Sequence, residues 1–182
     1  DNKLIVFHDR TIDRLLNGKG EVEKMTLEEI MKFRYKDGQS VITLEELFEL
    51  TRNKIKLMLE IKSRGIAKEL MDLVHAHDYQ ENEMMIISFV NKDIIDCYKL
   101  DNRPIYGKCI SYIGKSWLWK ILGLQGVIGK LVYKNAVGKY PVSYINLDAP
   151  FGYDEFVKLA VSNNVKHIMG AMQTEKYLKK LV

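Results

Sequence analysis

The 182-residue chain has only two cysteines, Cys97 and Cys109. They form no metal-type pair and are too few for a secreted disulfide scaffold. They read as free thiols in a reducing compartment. No run reaches the roughly 18 unbroken apolar residues of a membrane span. The longest apolar-rich stretch, Trp117 to Tyr133, is broken by Lys120, Gln125 and Lys130. Arginine-rich runs are missing, which speaks against nucleic acid as a partner. So is Gly-x-Gly-x-x-Gly after the first expected strand, which removes the best support for a dinucleotide-binding fold. There is no nucleophile elbow and no Ser/His/Asp arrangement. No signal peptide is visible. The chain opens on Asp1-Asn2-Lys3 without a Met and in turn chemistry, then runs straight into Leu4-Ile5-Val6-Phe7. These features lead to the expectation of a cytoplasmic protein that has lost upstream sequence.

What is present is an ordinary globular composition, with 47% hydrophobic and 29% charged residues. Basic residues exceed acidic ones by 28 to 24, a net charge of +4. That mild excess suits an anionic ligand or an anionic lipid surface. Six strands are expected, at 4–9, 54–62, 84–89, 104–110, 142–147 and 165–170. Helices are expected between them. Thr26 with Glu29 and Thr43 with Glu46 have the spacing of capping boxes. They open a helix after Thr26 and another over 44–51. Further helices are expected over 65–78, 92–100, 117–134 and 154–161, and from about Thr174. Asn17-Gly18-Lys19-Gly20 reads as a turn. Strands alternating with helices imply a parallel sheet with right-handed crossovers. The choice lies between an open sheet and a TIM (β/α)8 barrel, of which about six βα units are present. A barrel of typical size would need two more.

Strand parity then locates the chemistry. In 54–62, Ile55, Leu57, Leu59 and Ile61 share one face and should pack under helices. Met58, Glu60 and Lys62 share the other. A carboxylate and an amine therefore point inward at the strand's C-terminal end, where barrel enzymes place their sites. In the first strand Leu4, Val6 and His8 share a face, and His8 is its last inward residue. That makes His8 a candidate acid/base. Asp9 points elsewhere and orients or caps the loop. Val6, Met58, Ile86 and Tyr144 are expected to face the barrel axis. Phe89 and Asn146 are candidates for the pocket mouth, with a loop-end hydrogen bond the favoured role for Asn146. His75 and His77 read as surface residues, and His167 as packed.

The ordered set Leu4-Ile5-Val6-Phe7-His8-Asp9-Arg10-Thr11-Ile12-Asp13-Arg14, Asn17-Gly18-Lys19-Gly20, Thr26-Leu27-Glu28-Glu29-Ile30, Thr43-Leu44-Glu45-Glu46, Leu59-Glu60-Ile61-Lys62 and Ser88-Phe89 resembles the glycerophosphodiester phosphodiesterases. The resemblance implies a TIM barrel and a divalent-metal hydrolase, with Mg²⁺ or Ca²⁺ as the ion. It implies that His8 is one of two catalytic histidines, that Glu60 is a metal carboxylate, and that Lys62 lies near the substrate phosphate. Residues 10–43 then match a small region inserted into a single, incomplete barrel spanning 1–182. The family's His-Arg-Gly motif and its second-strand Glu and Asp are not in this sequence. Leu15-Leu16 stands where a Thr pair is usual, and Met169-Gly170-Ala171-Met172 where a Trp-Thr-Val-Asn run is typical.

The implied reaction is hydrolysis of a small glycerophosphodiester to glycerol phosphate and an alcohol, in lipid and glycerol metabolism. Two alternatives remain at this point. One is a lipid phosphodiesterase of the sphingomyelinase D or phosphoinositide type. The other is a non-catalytic barrel that binds a lipid surface. For the latter, the 117–133 stretch offers a membrane-surface contact, although an outer helix packed on the sheet is the favoured reading.

Overall fold

The computed structural model describes residues 1–111, 131, 142–148, 162 and 165–169. Two hydrophobic clusters organise them. The larger lies between a sheet and its helices, and the smaller holds the N-terminal region together.

The sheet contains β1 (Leu57–Ile61), β2 (Met84–Ser88), β3 (Ile105–Ser111), β4 (Tyr144–Asp148) and β5 (Lys166–Met169). All are parallel and lie side by side in sequence order. This is the arrangement that alternating strands and helices dictate. Between the strands run α3 (Ala67–Ala76) and α4 (Asn91–Leu100). Register pairs Leu59 with Ile86, Ile86 with Tyr106, and Lys108 with Ile145. Leu59, Ile86, Tyr106 and Ile145 share the larger cluster with Leu70, Met71 and Val74 of α3 and Ile94 and Cys97 of α4. Leu57, Leu59 and Ile61 of β1 are therefore on the helix-packed face, as parity predicts, whereas Ile55 lies ahead of the strand and is exposed. Burial in this layer pushes the Cys97 thiol up to about 12, so it is a packing residue.

One face assignment is corrected. Ile86 looks toward the helices, and Ile87 takes the axial place, aligned with Glu60 on one side and Gly107 on the other. Met84 to Ile87 is apolar on both faces, so alternation carries no signal there. Met58 and Tyr144 lie on the axial face as expected. The axial layer is tight at Gly107, where an added Cβ would come within 2.8 Å of Ile87 Cγ2.

Both capping boxes form. They open α1 (Leu27–Ile30) and α2 (Leu44–Thr51). α2 buries Leu44, Phe48 and Thr51. Phe48 is fully buried, with the rings of Tyr79 and His77 against it at 4.8 and 5.4 Å.

The strand expected at 4–9 is not part of the sheet. It makes one antiparallel bridge, Ile5 with Thr43. Val6 N–H donates to the Ile42 carbonyl and Leu44 N–H to the Leu4 carbonyl. The cap of α2 supplies the pairing partner, so these residues are satisfied without a ladder. Alternation survives all the same. Leu4 packs on the larger cluster, while Ile5 and Phe7 pack on the smaller one of Ile12, Leu16, Ile30 and Val41. The turn at 17–20 closes against Phe33, whose ring leaves only 2.2 Å for a Cβ at Gly18. The helices expected over 117–134, over 154–161 and after 174 lie outside the described residues, except that Leu131 is helical and exposed. Among the described residues, no helix is long and apolar enough to cross a membrane.

Candidate active site

Two structural elements contribute the candidate residues. β1 carries Glu60 and is followed at once by Lys62. Because they are two apart, they extend to one side, and Lys62 Nζ donates to Glu60 Oε1 at 2.5 Å. Their side chains are about one-third and one-quarter exposed, at 34% and 26%. The pair therefore stands at a solvent boundary and not in a dry core. Phe89 follows the end of β2, and its ring centroid lies 5.9 Å from Lys62 Nζ. Phe89 is 44% exposed, and its ring offers the ammonium a cation–π face.

The N-terminal arm carries His8. The residue expected to end a strand as a buried inward group is instead on irregular backbone, with 70% of its side chain exposed. Its Nδ1 lies 2.7 Å from Asp9 Oδ1. Asp9 in turn accepts from Arg14 Nε at 2.6 Å and Nη2 at 2.8 Å. The bidentate Arg14 guanidinium, and after it His8, hold the Asp9 carboxyl far below the usual carboxylate range. An ionised carboxylate only accepts, so Nδ1 carries the hydrogen and Nε2 is the nitrogen left for proton exchange. The sequence reading missed this role for Asp9 and Arg14. The His8-Asp9 doublet with an arginine five residues on was the available signal.

His8, Glu60 and Lys62 all line one cleft of about 1220 Å³ between the arm and β1, together with Met58 and Arg64. Phe89 is not on its wall but contacts it through Lys62. Asn146 lies in β4 beside Cys109 and Ile168 in register; its side chain is outside the described residues. His75 is exposed and makes a 2.9 Å contact with Asp101 Oδ2, far from these groups in sequence and outside the cleft wall.

A divalent ion needs several oxygen ligands. Among the described residues, no three His, Cys, Asp or Glu side chains gather as a metal-binding group. Glu60 is the carboxylate beside Lys62 in the cleft, and that lysine already engages one of its oxygens. These residues alone do not fit a metal centre.

Five parallel strands side by side in sequence order, with crossover helices on one face and polar groups just past a strand's C-terminal end, are what part of a TIM barrel presents. Residues 1–112 match the model of the glycerophosphoryl diester phosphodiesterase family. The chain belongs to that family. A glycerophosphodiester phosphodiesterase of Caldanaerobacter subterraneus subsp. tengcongensis is 37% identical over an alignment 113 positions long that covers 55% of this chain and 46% of that protein. The chain thus spans about half the length of that relative. Among solved structures, an Oleispira antarctica phosphodiesterase in complex with the product sn-glycerol-3-phosphate superposes with a TM-score of 0.72 at 18% identity, covering 100% of this chain and 72% of that one. A glycerophosphodiester phosphodiesterase from Agrobacterium tumefaciens gives 0.63 at 17% identity, covering 98% and 74%. These likenesses show the fold, which is that of a TIM barrel.

Proposed function

We propose that this protein takes part in hydrolysis of a small glycerophosphodiester to sn-glycerol 3-phosphate and an alcohol, in a divalent-metal-dependent reaction of cytoplasmic lipid and glycerol metabolism. The observation that carries this reading is the convergence of His8, Glu60 and Lys62 on one cleft in a chain of this family. The product bound to the Oleispira antarctica phosphodiesterase supports the choice of substrate class. The sphingomyelinase D and phosphoinositide alternatives have no comparable support.

His8 takes or gives the proton at Nε2, while Asp9 holds Nδ1–H and stays ionised. That arrangement fixes the tautomer and steadies the imidazolium when it forms. Lys62 offsets the phosphodiester's negative charge. Glu60 both orients Lys62 and is the residue proposed to contribute a metal oxygen ligand. Metal dependence rests on family membership, since the described residues do not complete a centre. We also read residues 10–43 as an inserted region in a single barrel domain, a reading that the separate small hydrophobic cluster supports.

The test is ³¹P NMR of the protein with glycerophosphoethanolamine, with Mg²⁺ or Ca²⁺ added and after chelation. Glycerol 3-phosphate should accumulate only with the ion, and Lys62→Met should weaken both substrate binding and turnover. Turnover that survives chelation undiminished would sink the metal-dependent reading.

A further inference from the structure

We infer that Lys108 is a positioning residue that holds Phe89 beneath the Lys62 ammonium, and so sets where the phosphate-facing charge stands; this rests on the phosphodiester reading above. Lys108 lies in β3, paired in register with Ser88 and Ile145. It is only 8% exposed, which is unusual for a lysine. A buried ammonium is costly unless it is hydrogen-bonded. Lys108 Nζ donates to the Phe89 main-chain carbonyl.

That carbonyl belongs to the first residue past β2, where the ladder with β3 has ended at Ser88. Phe89 therefore needs another anchor, and it has one on each side. Ser88 Oγ accepts from Val90 N–H at 3.0 Å and donates to the buried Asp93 carboxylate at 3.0 Å. Arg64, from the loop after β1, lies 3.5 Å from the same carboxylate. The turn is thus pinned at Ser88 and Val90 by hydroxyl bonds, and at Phe89 itself by Lys108. What leaves this pinned main chain is the Phe89 ring, which is exposed and faces Lys62. The buried lysine acts on the exposed one through one residue's carbonyl and ring.

The test uses NMR of the full 182-residue chain with labelled lysine and phenylalanine. In the parent, the Lys62 ε-methylene should show an upfield ring-current shift, and Lys108 Nζ should correlate with the Phe89 carbonyl carbon. Phe89→Leu should abolish the Lys62 shift. Lys108→Met, which keeps stem volume and removes the donor, should diminish it while leaving the backbone spectrum folded. Affinity for sn-glycerol 3-phosphate should fall about 2–5-fold in Lys108→Met, the worth of an exposed cation–π contact. It should fall no further in Phe89→Leu/Lys108→Met than in Phe89→Leu alone. An unchanged Lys62 shift in folded Lys108→Met overturns the inference. If that variant does not fold, the parent decides: absence of the Lys108–Phe89 correlation overturns it, and its presence with the Lys62 shift supports it. A parent that does not bind glycerol 3-phosphate at all removes the phosphodiester reading instead, whatever the Lys62 spectrum shows.

Discussion

The two halves of the candidate site are built differently. Glu60 is placed by a strand whose other face is packed against α3, and Lys62 follows directly on that strand, bonded to Glu60 and faced by the Phe89 ring. His8 sits on an arm with one bridge to the rest of the fold, and its aim depends on side-chain bonds from Asp9 and Arg14. The strand-borne half inherits rigidity from the sheet. The arm-borne half has to make its own. Substitutions in the first half should therefore act on chemistry without moving stability, whereas in the second half His8 itself carries chemistry and the groups that hold it act on orientation and local order.

The largest expected effect is on His8. His8→Ala should lower kcat by about 10²–10⁴, the usual worth of a general acid or base. Steady-state kinetics on parent and variant, with circular dichroism to show that both are folded, check it. Arg14→Ala should follow at a smaller factor, because Asp9 loses its guanidinium and His8 its fixed partner. An arm as rigid as the strand would show no effect of Arg14.

Stability separates the regions next. Phe48→Ala in the large cluster should cost about 3–5 kcal/mol in global denaturant unfolding. Ile12→Ala in the small cluster should cost about 2–5 kcal/mol, concentrated in hydrogen exchange of residues 5–41. Equal exchange in both regions would join them into one cooperative unit.

Asp101 gives a pH handle on the β side. The Arg103 guanidinium, with help from the Arg103 main chain and His75, holds its carboxyl down at about 2. A folded value below the ordinary carboxylate value near 4 means stability that is fully present above that value. It is lost as pH falls toward 2. Asp101→Asn should flatten the acid unfolding curve over that window and lower stability near neutrality by roughly 1–3 kcal/mol. The Thr26→Ala and Thr43→Ala caps are the smallest test, at about 1 kcal/mol each. The first loss should stay within the arm region and the second should reach the global transition.

Much of this was readable from residue order. The capping pairs named α1 and α2 because a hydroxyl and a carboxylate three residues apart satisfy local donors, with no help from the rest of the chain. β1's faces were readable because aliphatic residues alternate with Met58, Glu60 and Lys62. β2 offered no alternation, so Ile86 was assigned to the wrong side. The arm misled for another reason. Leu4 to Asp9 has a strand's pattern, but whether it joins a sheet depends on which backbone is nearby, and Thr43 was nearer. Lys108 was invisible because a lysine's burial is decided by neighbours distant in sequence.

Thr43 has a consequence for how this protein can change length. It both begins α2 and clasps Ile5, so the arm is counted off from a fixed point like a reading frame. One residue added or removed between Ile5 and Phe7 would turn His8 to the side on which Phe7 now packs against the small hydrophobic cluster. The same indel at Lys36 to Ser40, outside that count, would only change the length of a turn. Length variation among descendants of this sequence should therefore collect in the second place and be nearly forbidden in the first.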